Sequence, residues 1–216
     1  MNDHYPFVNT PLPYPYDALE PYIDQKTMKL HHDRHLQTYV DHLNAVLKDY
    51  PQLHQWTLHQ LLTNIDYLPA EIQIPVRNNA GGVYSHRLYF CGMKKASIRS
   101  MNGNLERAMD YAYGGIHKFQ EAMKEAGLSV FGSGYAWLVV NRSGQLTIMT
   151  TPNQDTPLSV GLCPIMNVDV WEHAYYLKNY NKRAEYIDHW LSVINWEEAE
   201  KNYLIFLQYY LFQSFY

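Results

Sequence analysis

The hydrophobic period of this chain passes from helical to strand-like and back along its length, and that order limits the folds it can adopt. From Gln25 to Asp49, Met28, Leu36, Val40, Leu43 and Leu47 recur mostly three or four apart, which lines one helix face, and Pro51 closes the run. A second helical stretch covers Leu58 to Ile65, and a third follows Pro75 and runs through Val83 and Leu88 to Cys91. Gly81 and Gly82 inside the third need a packing or functional reason. A basic segment from Gly92 to Gly103 separates these helices from two more, Asn104 to Tyr113 and Ile116 to Ala126. The pattern then alternates: Tyr135–Val140 and Gln145–Thr150 read as strands joined by the turn Asn141-Arg-Ser-Gly144. A third strand ends at Asp169, and helices resume through Tyr175, from Tyr186 to Ile194 and beyond Trp196. The expected fold is α+β. An N-terminal helical hairpin domain, residues 1–97, precedes a mixed α/β domain, residues 98–216, with a small three-stranded antiparallel sheet.

Composition narrows the function classes. The chain has 216 residues, 47% of them hydrophobic and 18% charged, which suits a globular protein with a sizeable core. A net charge of -4 argues against nucleic-acid binding by bulk electrostatics. No apolar run is long enough to span a bilayer. The opening Met1-Asn-Asp-His-Tyr-Pro6 has no secretory pattern, so a cytoplasmic location is expected. Cys91 and Cys163 are too few and too far apart for a disulfide framework or a cysteine zinc site. Two usages are high: 20 tyrosines and 11 histidines. Histidine is the commonest transition-metal ligand, so its spacing matters.

His31, His35 and Tyr39 are four apart on one helix and share a face. His86 lies on another helix, and Asp169 and His173 form an Asp-x-x-x-His pair where the last strand meets a helix. Each has a bland reading alone, because most helix histidines are surface or hydrogen-bonded residues, and an acid at a helix start is common. Spacing suggests a site without proving one.

The motifs go further. Ala18-Leu-Glu-Pro21 with Leu30-His-His-Asp-Arg-His-Leu-Gln-Thr-Tyr-Val40 resembles the N-terminal signature of the manganese/iron superoxide dismutases. So does Asn78-Asn-Ala-Gly-Gly-Val-Tyr-Ser-His86. Gly132-Ser-Gly-Tyr-Ala-Trp-Leu138, Thr151-Pro-Asn-Gln-Asp155, Asp169-Val-Trp-Glu-His-Ala-Tyr-Tyr176 and Val193-Ile-Asn-Trp196 are similar to later blocks of that family, in its order and spacing. The resemblance implies that His31, His86, Asp169 and His173 ligate one manganese or iron ion and that superoxide is the substrate. Such a donor set, without thiolate, suits manganese or iron, whereas zinc offers no redox change. By the same resemblance Gln154 hydrogen-bonds solvent on the metal, while Tyr39 and His35 form the gate to bulk water. Gln154 here supplies the amide that other members carry at the place of Gly82, a pattern typical of manganese enzymes. A homodimer is implied as well: Glu172 and Tyr176 would reach the partner's metal site, beside Trp171.

The chain also departs from the pattern. Phe90 stands where the family usually has Trp, Tyr135 where Trp is common, and Leu36 replaces a histidine beside the gate. Two other classes compete. A protein of the same fold supporting tyrosine cross-linking is motivated by the 20 tyrosines. A non-haem iron oxygenase would use two histidines and one carboxylate; the third histidine and the Gln154 segment argue against it. The tail from Asn202 to Tyr216 carries no charged side chain. It is expected to pack on its own domain, or to carry Phe212, Phe215 and Tyr216 into a larger assembly.

Overall fold

The computed structural model describes residues 3–96 and 103–213, with the side chains of 209–213 excepted. The first helical run is one rod in three parts: α1 (Gln25–Leu30), a π-helical segment (His31–Leu36) and α2 (Gln37–Leu47). Asp24 caps its start by accepting from the Thr27 amide at 2.9 Å. Thr57 and Gln60 form a reciprocal capping box that starts α3 (Leu58–Thr63). The long helix α4 (Ala70–Cys91) begins five residues before Pro75, not after it. Proline that early in a helix removes one N–H donor, toward Glu71, and the remaining ladder carries the turn.

Gly81 and Gly82 are explained by close approach. A Cβ on Gly81 would lie 2.1 Å from the Gln154 carbonyl oxygen, and one on Gly82 would lie 2.5 Å from the Tyr39 ring. Each glycine costs about 1 kcal/mol of helix propensity relative to alanine. Here that cost admits a loop and a ring that any side chain would displace.

Beyond the junction come α5 (Asn104–Tyr113) and α6 (Ile116–Ser129), and then the sheet: β1 (Gly134–Val140), β2 (Leu146–Pro152) and β3 (Cys163–Asp169). The strand order is β2-β1-β3 with both pairs antiparallel, so the sheet is three-stranded and antiparallel as expected. β1 is central and buried at every position. Helices resume later than the sequence suggests. Trp171 is extended, Glu172–Ala174 is a 3-10 turn, and α7 (Tyr176–Asn179) starts only then. The Asp169 carboxylate accepts from the Trp171 amide at 2.8 Å, which turns the chain sharply out of the strand. α8 (Arg183–Ser192) and α9 (Trp196–Gln213) complete the fold.

The two halves are sewn together just after α4. Met93 bridges Ile194, the Lys94 amide donates to Val193, and the Asn195 amide donates to Gly92. One continuous core runs from Leu43 and Val83 through Leu138 and Val168 to Trp190. The described part of the tail packs on its own domain, with Tyr203 and Phe206 buried and Asn202 donating to the Ile165 carbonyl. The side chain of Phe212, and Phe215 and Tyr216 altogether, lie outside the described residues.

Candidate metal centre

Four elements meet at one buried point. His31 comes from the π-helical segment, His86 from α4, Asp169 from the end of β3 and His173 from the 3-10 turn that follows. One donor atom from each lies within 4.8 Å of all the others. Asp169 Oδ2 is 3.2 Å from His31 Nε2, 3.5 Å from His173 Nε2 and 3.9 Å from His86 Nε2. His31, His86 and Asp169 are buried, and His173 is nearly so.

These converging atoms are also orphans. His31 Nε2, His86 Nε2, His173 Nε2 and Asp169 Oδ2 have no hydrogen-bond partner. Buried polar atoms left unpaired cost roughly 1–3 kcal/mol each, so four in one place call for a ligand. A divalent or trivalent cation meets all four needs at once, because each atom is a lone-pair donor aimed at a common centre.

Protonation states agree with that fit. Burial holds His31 and His86 below the ordinary imidazole range, His86 at about 4, so both rings are neutral near pH 7. His86 Nδ1 lies 2.7 Å from the Gly82 carbonyl, which can only accept. The proton therefore sits on Nδ1, and the Nε2 lone pair faces the centre. Burial pushes the Asp169 carboxyl up, but the His173 and His31 rings outweigh it and hold the group ionised, well below the usual carboxylate range.

His31 and His35 stay on one side of the π-helical segment, with ring centroids 6.2 Å apart. His31 points into the centre, whereas His35 is exposed and stacks on the His173 ring at 4.0 Å. Tyr39, one turn further, faces α4 and receives a 2.9 Å hydrogen bond from Gln154 Nε2. Gln154 is buried on the turn after β2, and its Oε1 accepts from the Tyr135 hydroxyl at 3.0 Å. Tyr135 thus does more than replace a tryptophan wall; it holds the glutamine amide from the side opposite Tyr39. Periodicity gives no sign of that contact, since it joins positions 19 apart across two strands.

Around this group Phe90 packs edge-on against His31 at 4.9 Å, and Trp171 lies 5.6 Å from His173 with its indole donating to the Asn153 carbonyl. Glu172 and Tyr176, on the outer side of His173, are exposed in the single chain. Among the described residues Tyr89, Tyr135, Tyr175, Tyr186 and Tyr203 are core residues, whereas Tyr67, Tyr111, Tyr176 and Tyr180 are exposed. The cross-linking role finds no support.

Comparison with known proteins agrees with this geometry. The family descriptions "Iron/manganese superoxide dismutases, alpha-hairpin domain" and "Iron/manganese superoxide dismutases, C-terminal domain" match residues 6–94 and 101–202. Superoxide dismutase [Mn] 2 of Bacillus cereus is 44% identical over 197 residues, 91% of this chain and 94% of that protein. Superoxide dismutase [Mn] of Thermus thermophilus is 45% identical over 197 residues, covering 91% and 97%. That of Listeria monocytogenes is 45% identical over 192 residues, covering 89% and 95%. With both halves matched in order and four lone pairs converging where the halves meet, this chain belongs to the iron/manganese superoxide dismutase family.

Proposed function

We propose that the protein converts superoxide to dioxygen and hydrogen peroxide, with one manganese or iron ion held by His31, His86, Asp169 and His173. The observation that carries this reading is the convergence of four orphaned donor atoms, from two buried neutral imidazoles, a third imidazole that is nearly buried and one ionised carboxylate. Overall, two superoxide ions and two protons give one dioxygen and one hydrogen peroxide. The bound ion supplies the one-electron change between its trivalent and divalent states that links the two half-reactions.

The chain's own residues supply the rest. Asp169 contributes one negative charge, and the His31 and His86 imidazoles none, so these groups leave a bound cation positive and attractive to an anionic substrate. Gln154 is pinned by Tyr135 at Oε1 and by Tyr39 through one Nε2 hydrogen, which leaves its second N–H as the donor it can offer inward. Tyr39 and His35 stand between this centre and bulk water and form the route for protons and substrate. Burial raises Tyr39 and lowers His35, so at neutral pH the first keeps its proton and the second is uncharged. Phe90 and Trp171 exclude water from the ligand rings.

Manganese is favoured over iron. The Tyr39 ring fills the place that a side chain at Gly82 would take, which leaves Gln154 to supply the amide, and the relatives above bear manganese in their names. Purified protein assayed for metal and for superoxide decay tests the function; metal-free protein with undiminished decay would refute it.

Two finer readings accompany this one. The exposed Tyr176, Leu177 and Tyr180, beside the exposed Glu172, suit a homodimer in which Glu172 reaches the partner subunit's His173 and Tyr176 reaches the partner subunit's His35. Light scattering at dilute concentration should give a dimer mass, and a fully active monomer would reject it. No helix among the described residues is long and apolar enough to cross a membrane. Free Cys91 and Cys163 suit a reducing compartment, so we place the protein in the cytoplasm, and the expected domain junction at residues 97/98 lies outside the described residues.

A further inference from the structure

The turn that carries Gln154 is fastened to the helix that carries His86, and we propose that a clasp of Arg77, Gly81 and Asp155 is the device that aligns the Gln154 amide on the metal centre. This rests on the reading of Gln154 given above.

The sheet ladder ends before Gln154. β2 stops at Pro152, and Asn153 follows in the left-handed region with φ 50. The entry is held by the Asn153 amide donating to Ser133 and by the Trp171 indole donating to the Asn153 carbonyl. The exit is held from α4. Arg77 donates from Nε at 2.6 Å and from Nη2 at 2.5 Å to the two carboxylate oxygens of Asp155. This planar two-point contact fixes direction as well as distance. One turn along the same helix face, Gly81 meets the Gln154 carbonyl so closely that no Cβ fits. Successive turns of α4 therefore grip residues 155 and 154, and His86 follows on the same rigid helix. A shift of the clasp moves the amide relative to His86, not merely relative to solvent.

The clasp is suited to alignment and not to global stability. Arg77 is half-exposed, and ion pairs that exposed contribute little to folding. The Asp155 backbone has its own anchor, because its carbonyl accepts from the Thr151 hydroxyl, which in turn accepts from the Trp137 indole. Removing the Asp155 charge therefore leaves the strand end in place and frees only the contact to α4.

The test uses full-length, metal-loaded protein carrying Arg77→Met, Asp155→Asn or both. We expect metal content and thermal midpoint to match the parent, while kcat falls roughly fivefold and the midpoint potential and visible absorption of the bound metal shift. The double variant should be no worse than either single one, since both break one contact. Arg77→Lys keeps the charge but not the planar two-point contact and should recover only a minor part of the loss. Lys124→Met, which breaks the distant exposed pair with Asp188 (2.6 Å), is the control and should move nothing. Parent-like kcat and potential in Asp155→Asn and Arg77→Met, beside an impaired Gln154→Ala, would overturn the clasp alone. A loss that tracks released metal or a lowered thermal midpoint would overturn it too. If Gln154→Ala itself changed neither kcat nor potential, the reading of Gln154 would fail and the clasp with it.

Discussion

The helical half and the sheet-bearing half of the molecule bring their groups to the centre by different means. His31 and His86 ride on helices, and the backbone ladder runs on beyond both. His86 is oriented within its own helix, by the carbonyl of Gly82 one turn back. Asp169, His173 and Gln154 come from places where regular structure stops: a strand end, a 3-10 turn and the turn after β2. Their positions depend on contacts reaching across the fold, such as Tyr135 to Gln154 and Trp171 to Asn153. On the proposed reading, the contrast separates a rigid frame that places two of the four donors from a set of fastenings that would align the rest. Substitutions of neighbours should therefore be felt mainly in the second half.

The largest effect should come from the ligands, where the two halves ought to behave alike. His86→Ala and Asp169→Ala should each abolish bound metal and superoxide decay together, read by elemental analysis and a decay assay on the same sample. Retention of metal by one but not the other would show that the halves do not share one ion. Next is Gln154→Ala, which should keep the metal and lose on the order of 100-fold in kcat. Loss of metal instead would make Gln154 part of the frame.

Tyr135→Phe sharpens the comparison. It leaves Gln154 Oε1 buried without its donor, a loss of roughly 1–3 kcal/mol in stability, with about a tenfold fall in kcat. Tyr135→Trp should recover part of it, because an indole N–H can also donate. Unchanged unfolding and kcat in Tyr135→Phe would mean that the fastening plays no part. Tyr39→Phe should be milder, roughly threefold, and confined to the proton-limited half-reaction in pulse radiolysis, since Gln154 keeps its bond to Tyr135.

The same contrast explains what could be read in advance. Apolar period and proline punctuation marked most helices and the strands, because each obeys a local repeat. The start of α4 escaped, since proline argues against a helix that begins five residues before it. His31 and His35 share a face as their spacing suggests, with rings 6.2 Å apart, but spacing alone does not tell that the first is buried and the second exposed. The Asp169 and His173 pair stood out as residue types, although the turn joining them is 3-10 and not α-helical. The pairings of Tyr135 with Gln154 and of Arg77 with Asp155 join distant positions, and local patterning has no access to them. The glycines are the instructive middle case: Gly81 and Gly82 called for a packing or functional reason, and only the fold showed that it is close approach by Gln154 and Tyr39.

The most direct measurement is anomalous diffraction from a crystal of the loaded protein, collected at the manganese and iron absorption edges. One strong peak per chain, within bonding distance of His31 Nε2, His86 Nε2, His173 Nε2 and Asp169 Oδ2, is the predicted result. A peak elsewhere, or no peak in crystals grown from fully active protein, would contradict the claim that these four atoms hold the redox ion.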